Sequence, residues 1–150
     1  MPLSADPVSD DDYRRLLEFR TSLRRFLRWS EERAHAAGLT PAQHQLLLAI
    51  RGSEDPIGPT IGNVANSLLL RHHSVVELAD RAAESGLVRR RADPSDHRAV
   101  RLTLTGKGRR KLASLSQAHL EELERLSSGL RPILSRGRSL GEVPGVQRVP

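Results

Sequence analysis

Only one stretch of this 150-residue chain reads as β structure, and it is short. The runs "LVRRR" and "VRLTL" flank "ADPSDH", whose proline, serine and two aspartates make a turn. In the second run Val100, Leu102 and Leu104 share one face, and Arg101 and Thr103 share the other. A lone two-stranded hairpin is marginal in water, so its apolar face must anchor on something else. Every other periodic segment is helical. The chain is therefore expected to be mainly α, with a small β-hairpin set on a helical lobe.

The helices announce themselves by period and by punctuation. From Asp10, apolar residues at Leu16, Phe19, Leu23 and Phe26 or Leu27 follow helical spacing. Asp10, Asp11 and Asp12 suit the positive end of that helix, which runs to about Ala37 and is closed by Gly38. A second helix starts at a capping box, Thr40 with Gln43, has Pro41 in its first position, and closes near Arg51 and Gly52. Thr60 caps a short third helix that buries Ile61, Val64, Ala65 and Leu68. The fourth begins at the histidines or at Ser74, where Ser74 and Glu77 have capping-box spacing, and ends at Gly86. Its inward residues are Val75, Leu78 or Ala79, and Ala82. After the hairpin, Thr105 caps a last long helix, which Pro132 bends or restarts after Gly129. Its Leu112, Leu115, His119, Leu123 and Leu126 stand close to a heptad seam. Residues 1–9 read as a flexible leader and 135–150 as a flexible tail.

Composition removes several classes of function. No cysteine is present, which excludes disulfides, thiolate metal sites and thiol redox sensing. No apolar run approaches the ~18 residues needed to span a membrane. The opening "MPLSADPVSDDDYRR" is acidic and lacks the apolar core of a signal peptide, so a cytoplasmic protein is expected. The chain contains no Gly-rich phosphate loop, HExxH, GxSxG or grouped carboxylates, which argues against an enzyme. Six histidines raise the question of metal, but His35, His44, His72, His73, His97 and His119 form no cluster at ligand spacing. Neither metal nor cofactor is expected. Hydrophobic residues make up 37% and aromatics 3%, which is low for a self-contained globule and suggests that a second copy completes the apolar surface.

The charge is localised. Between Arg71 and Lys111 there are eleven Lys and Arg against five Asp and Glu, which accounts for the whole net charge of +6. A charge run is often only a solvated face, but confinement to one block favours a polyanion partner. Within that block the connector "LLRHH" is turn-sized and joins two helices, which makes a helix-turn-helix. The second helix presents His73, Ser74, Glu77, Arg81 and Glu84 on the face opposite its apolar residues. Polar side chains near a helix N-terminus suit a major groove, and the backbone N–H groups beside Ser74 suit a phosphate. With the hairpin directly after it, the unit reads as a winged helix.

The segment "LLLRHHSVVELADRAAESGLVRRRADPSDHRAVRLTLTGKG" resembles the core signature of the MarR (multiple antibiotic resistance regulator) family. The serine-led helix ending in "ESGLV", the "DPSDHRAV" wing and the "LTLTGKG" exit carry the resemblance, which covers about residues 12–130. It implies a homodimeric winged-helix transcriptional regulator, usually a repressor, over residues 10–134. Residues 40–105 would bind double-stranded DNA, and helices 10–37 and 106–134 would pair across a two-fold axis. The expected DNA contacts are Arg71, His72, His73, Ser74, Glu77 and Arg81 from the recognition helix, with Arg89, Arg91, Asp96, His97, Arg98 and Lys107 from the wing. Arg98 would enter the minor groove and Asp96 would hold it in place. Leu16, Leu115, Leu123 and Leu126 are expected at the dimer interface.

The resemblance also implies release from a pseudo-palindromic operator by a small compound. Phe26, Trp29, Arg33 and His44 could line its pocket, an aromatic with a cation suiting an anionic aromatic ligand. The alternative is a winged-helix module that binds protein or RNA without operator specificity.

Overall fold

The computed structural model describes residues 7–135. Most of the expected leader and nearly all of the expected tail lie outside the described residues. The order is α1 (Asp10–Ala36), α2 (Pro41–Arg51), α3 (Ile61–Leu68), α4 (His72–Glu84), β1 (Val88–Ala92), β2 (Val100–Leu104) and α5 (Gly106–Ser135). These form two compact units: one of residues 29–119, and one built from the first part of α1 and the later part of α5.

In the larger unit, local signals set the helix ends. Thr40 and Gln43 make the reciprocal capping box on α2, and Thr60 accepts from the Asn63 N–H to start α3. Gly38 (φ +76°) and Gly86 (φ +71°) take the left-handed conformation that ends α1 and α4. The fourth helix starts at the earlier of its two expected positions, but without the expected cap. α4 begins at His72 with Arg71 as its N-cap and no side-chain cap, so Ser74 lies inside the first turn and its expected capping box does not form. The α3–α4 turn is made by Leu69, a non-glycine residue at φ 55° that is 91% exposed. Its neighbour closes the turn, Leu70 N–H donating to the Ala65 carbonyl at 3.0 Å.

Leu46, Leu47, Val64, Val75, Leu87 and Leu102 form the centre of the core. The hairpin pairs antiparallel from Val88↔Leu104 to Ala92↔Val100, so Val88, Arg90 and Ala92 share a face with the apolar residues of β2. The chain just before α3 adds a further rung: Leu102 N–H donates to the Pro59 carbonyl at 3.0 Å, beside a Thr60↔Arg101 bridge. Gly58 permits this approach, because a Cβ there would stand 2.3 Å from the Leu102 carbonyl oxygen. The start of α5 is tied down three ways. Thr105 Oγ1 accepts from the Gly108 N–H, Lys107 Nζ donates to Ser85 O at 2.8 Å, and Lys111 Nζ donates to Ala37 O at 2.6 Å.

The smaller unit pairs the ends of α1 and α5. Arg15 donates to the Ile133 carbonyl at 3.1 and 2.8 Å and is held by Asp12. None of its described apolar residues is fully buried within one chain: Tyr13, Leu16, Leu17, Leu27, Leu120, Leu123 and Leu134 are exposed, and Leu126 is half-buried. α5 continues through Pro132 to Ser135, so the helix does not restart after Gly129. Leu115 corrects the expected dimer seam. It is 5% exposed and belongs to the core of the larger unit, with Leu112, so the heptad-like row serves two different purposes along its length. Among the described residues no helix is long and apolar enough to cross a membrane.

Candidate nucleic-acid interface

α4 presents its N-terminal end as a polar surface. Val75, Ala79 and Ala82 are fully buried, which turns Arg71, His72, His73, Glu77 and Arg81 outward, with Ser74 half-buried. Because no side chain caps this helix, its first-turn N–H groups remain available to an anion. Arg81 pairs with Glu77 at 3.5 Å one turn away, so this cation is partly neutralised. Such an exposed pair is worth little and can be exchanged for another partner.

The hairpin sorts three consecutive arginines. Arg90, on the face it shares with Val88, forms an ion pair with Asp80 and ties the strand to α4. Arg89 and Arg91 lie on the opposite face, exposed and without an ion-pair partner among the described residues. The turn is built on Asp93, which is 6% exposed. Its carboxylate accepts from the Ser95 N–H at 2.7 Å, the Asp96 N–H at 3.0 Å and Arg101 Nε at 2.5 Å. The Arg101 hydrogen bond, then the Ser95 N–H, hold the Asp93 carboxyl below the usual carboxylate range. Arg101 continues to the Asp55 carboxylate and to the Gly58 carbonyl at 2.9 Å. Asp93, Arg101 and Asp55 therefore brace the wing against the loop before α3. None of these three is among the residues expected at the site; the acidic residue before Pro94 reads from sequence only as a turn former.

Two residues expected at the wing have partners within the lobe. Asp96 accepts from the backbone N–H of Arg98 at 3.0 Å, closing a turn, and makes no ion pair with the Arg98 guanidinium. It shapes the tip through the backbone. Lys107 is spent on Ser85 O at the C-terminal end of α4. That lies roughly 18 Å along the helix from the His72 end, at ~1.5 Å per residue. His97 and Arg98 are exposed at the tip, as the hairpin pattern requires.

Three of the four residues expected to line a ligand pocket fall in the larger unit, and they form a filled stack. The Arg33 guanidinium lies 5.5 Å from the centroid of the Trp29 ring, Trp29 stands 4.8 Å from His119, and His119 stands 4.7 Å from His44. Phe26 belongs to the smaller unit. His119 joined the stack unforeseen, because its seam position suggested a dimer contact. Its Nδ1 faces the Leu115 carbonyl at 2.8 Å, which can only accept, so Nε2 receives the Ser30 hydroxyl at 2.7 Å. Among the described residues, no three His, Cys, Asp or Glu stand together as a metal-binding group.

Burial, and then the positive charge that His119 can carry, lower the affinity of His44 for its proton. A folded-state pKa below the unfolded one means the unfolded chain binds more protons. The contribution is complete above the unfolded value of about 6.5 and is lost as pH falls through the folded one. Urea denaturation at about pH 7.5 and pH 5.5 is expected to show a lower midpoint at the acid value. In His44→Phe, that acid shift should shrink; an equal shift in both proteins would assign it elsewhere.

Residues 37–99 match the family model of the MarR family. Among solved structures, the transcriptional repressor CouR bound to a 23-mer DNA duplex is 27% identical, with a TM-score of 0.63 over 78% of this chain and 84% of that one. AbsC, a MarR-family transcriptional regulator from Streptomyces coelicolor, is 20% identical, with a TM-score of 0.66 over 86% and 95%. The M. tuberculosis transcriptional regulator MOSR in complex with DNA is 23% identical, with a TM-score of 0.60 over 78% and 84%. No curated protein matches in sequence. The MarR family model spans most of the helix-turn-helix lobe and the wing tip, and the flanking helices follow the fold of the MarR-family regulator AbsC.

Proposed function

We propose that this chain is a DNA-binding transcriptional regulator, without enzymatic activity, that acts as a homodimeric repressor on a pseudo-palindromic operator. The observation that carries the reading is the pairing, in one lobe, of an uncapped α4 N-terminus with a wing whose tip arginine, Arg98, has no protein partner among the described residues. The first suits a major groove. The second suits a minor groove, whose ~6 Å width admits a single side chain and whose potential attracts cations where it narrows. The DNA-bound relatives CouR and MOSR support it. Dimerisation is supported by the smaller unit, whose leucines Leu16, Leu17, Leu120, Leu123 and Leu134 are exposed among the described residues. Two lobes related by a two-fold axis would set their α4 helices roughly 34 Å apart, one turn of DNA.

Release by a small ligand completes the proposal. What supports it is the Arg33 cation over the Trp29 ring, a contact for which an anionic aromatic compound would compete.

The test is salt dependence on a DNA fragment the protein itself retains from its own genome. Arg71, Arg89, Arg91 and Arg98 are the exposed cations of α4's start and the wing without an ion pair. If each neutralises one phosphate, a dimer loses counterions with a log–log slope of about −7, at about −0.9 per contact. A flat response would overturn the DNA reading and favour a protein partner.

A further inference from the structure

A hollow of about 330 Å³ lies on the larger lobe, at the small end of the range for ligand sites. It is walled by the end of α2, the loop before α3, β2 and the first turn of α5, and its polar lining is Arg51, Ser53, Asp55, Thr103 and Arg109. Neither Arg51 nor Arg109 has an ion pair or hydrogen-bonded partner for its guanidinium among the described residues. Arg51 stands in the last turn of its helix, where a cation complements the dipole. Arg109 stands in the first turn of α5, where a cation is opposed by the dipole and where no acidic residue offsets it. The one carboxylate in the wall, Asp55, is already bound by Arg101. The Ser53 oxygen accepts from the Asp55 N–H at 3.2 Å, which leaves its hydroxyl proton to donate. The hollow therefore offers two unspent guanidiniums and two hydroxyls, with no unpaired negative charge.

We propose that this hollow binds a small oxyanion, a phosphate or a free carboxylate of metabolite size, between Arg51 and Arg109, and that occupancy is transmitted to the wing through Asp55 and Arg101. An oxyanion is the chemistry that two guanidinium forks and two hydroxyl donors satisfy together. The transmission is short. The Asp55 carboxylate accepts from the Ile57 N–H at 3.1 Å and from Arg101, and Arg101 holds Asp93 at the base of the wing turn. An anion brought beside Asp55 repels it and competes for Arg101, so it acts on the element that sets the wing's attitude. Binding does not depend on the DNA reading; its regulatory meaning does.

The experiment is a titration of the full chain, without DNA, with inorganic phosphate and separately with citrate, each against chloride at matched ionic strength, followed by amide NMR. Saturable shifts at Ser53, Thr103 and Arg109, with a second set over residues 92–99, are expected; the arm that saturates at lower concentration names the class. Arg51→Gln with Arg109→Gln should weaken binding about ten-fold or more, as loss of charge-assisted hydrogen bonds does. If that double variant melts lower, Ser53→Ala and Thr103→Val interrogate the same hollow from its hydroxyls. Shifts matched by chloride, or retained in every variant, overturn the site. A double variant that loses DNA affinity in anion-free buffer makes these arginines DNA contacts and likewise overturns it.

Discussion

Gly108→Ala is expected to destabilise the protein by about 3 kcal/mol, which lowers the melting temperature by roughly 6–12 °C in a chain of this size. Gly108 is buried in the first turn of α5, and a Cβ there would stand 2.1 Å from the Leu87 carbonyl oxygen. That oxygen cannot move aside cheaply. It already accepts from the Thr105 N–H at 3.1 Å and the Thr105 hydroxyl at 3.2 Å, which close the junction between β1 and α5. Alanine's helix propensity works in the other direction by about 1 kcal/mol and is outweighed. Gly129→Ala, further along the same helix with nothing within 4 Å of its added carbon, isolates that propensity and should stabilise by up to about 1 kcal/mol. Thermal or urea denaturation of the two variants reads both signs. Two effects of the same sign would mean that contact with Leu87 does not decide the first.

The second large effect concerns DNA. Arg98→Ala should weaken operator binding by about 1–3 kcal/mol, roughly 5- to 150-fold, measured by fluorescence anisotropy at fixed salt. Because the Arg98 side chain is unheld in the lobe, rotamer freedom is lost on binding and the effect should fall toward the lower part of that range. Asp96→Asn separates backbone from side-chain roles. An asparagine oxygen can still accept the Arg98 N–H, so the turn survives, while a negative charge near phosphate disappears. Unchanged or improved affinity is expected; a loss comparable to that of Arg98→Ala would show that the carboxylate does steer the guanidinium.

What was legible in the sequence was whatever a few neighbouring residues decide. Thr40, Gln43, Thr60, Gly38 and Gly86 act within one turn of themselves, and each does what its type and position suggest. The two faces of β2 followed from alternation in the same way. The Ser74 box failed for a reason local spacing does not contain: the N-cap of α4 falls three residues sooner, at Arg71, and Glu77 pairs with Arg81. Periodicity identifies a face but not what covers it, so Leu115 looked like Leu123 although one lies in the lobe core and the other is exposed. The least legible residues were Arg90, Arg101 and Lys107. Their spending on Asp80, Asp55 and the Ser85 carbonyl depends on partners 10, 46 and 22 positions away. Net charge over a block therefore overstated the cations open to a ligand.

The bridge through Arg101 also bears on how the lobe opens. Regions of a protein exchange their amide protons in cooperative blocks whose members share the same supporting contacts. The wing turn hangs on Asp93, the preceding loop hangs on Asp55, and one guanidinium holds both. A fluctuation that lets go of either end leaves a carboxylate poorly solvated and the other end unsupported. The wing thus has little freedom to fray by itself as surface hairpins commonly do. Its amides are expected to exchange together with those of residues 53–59.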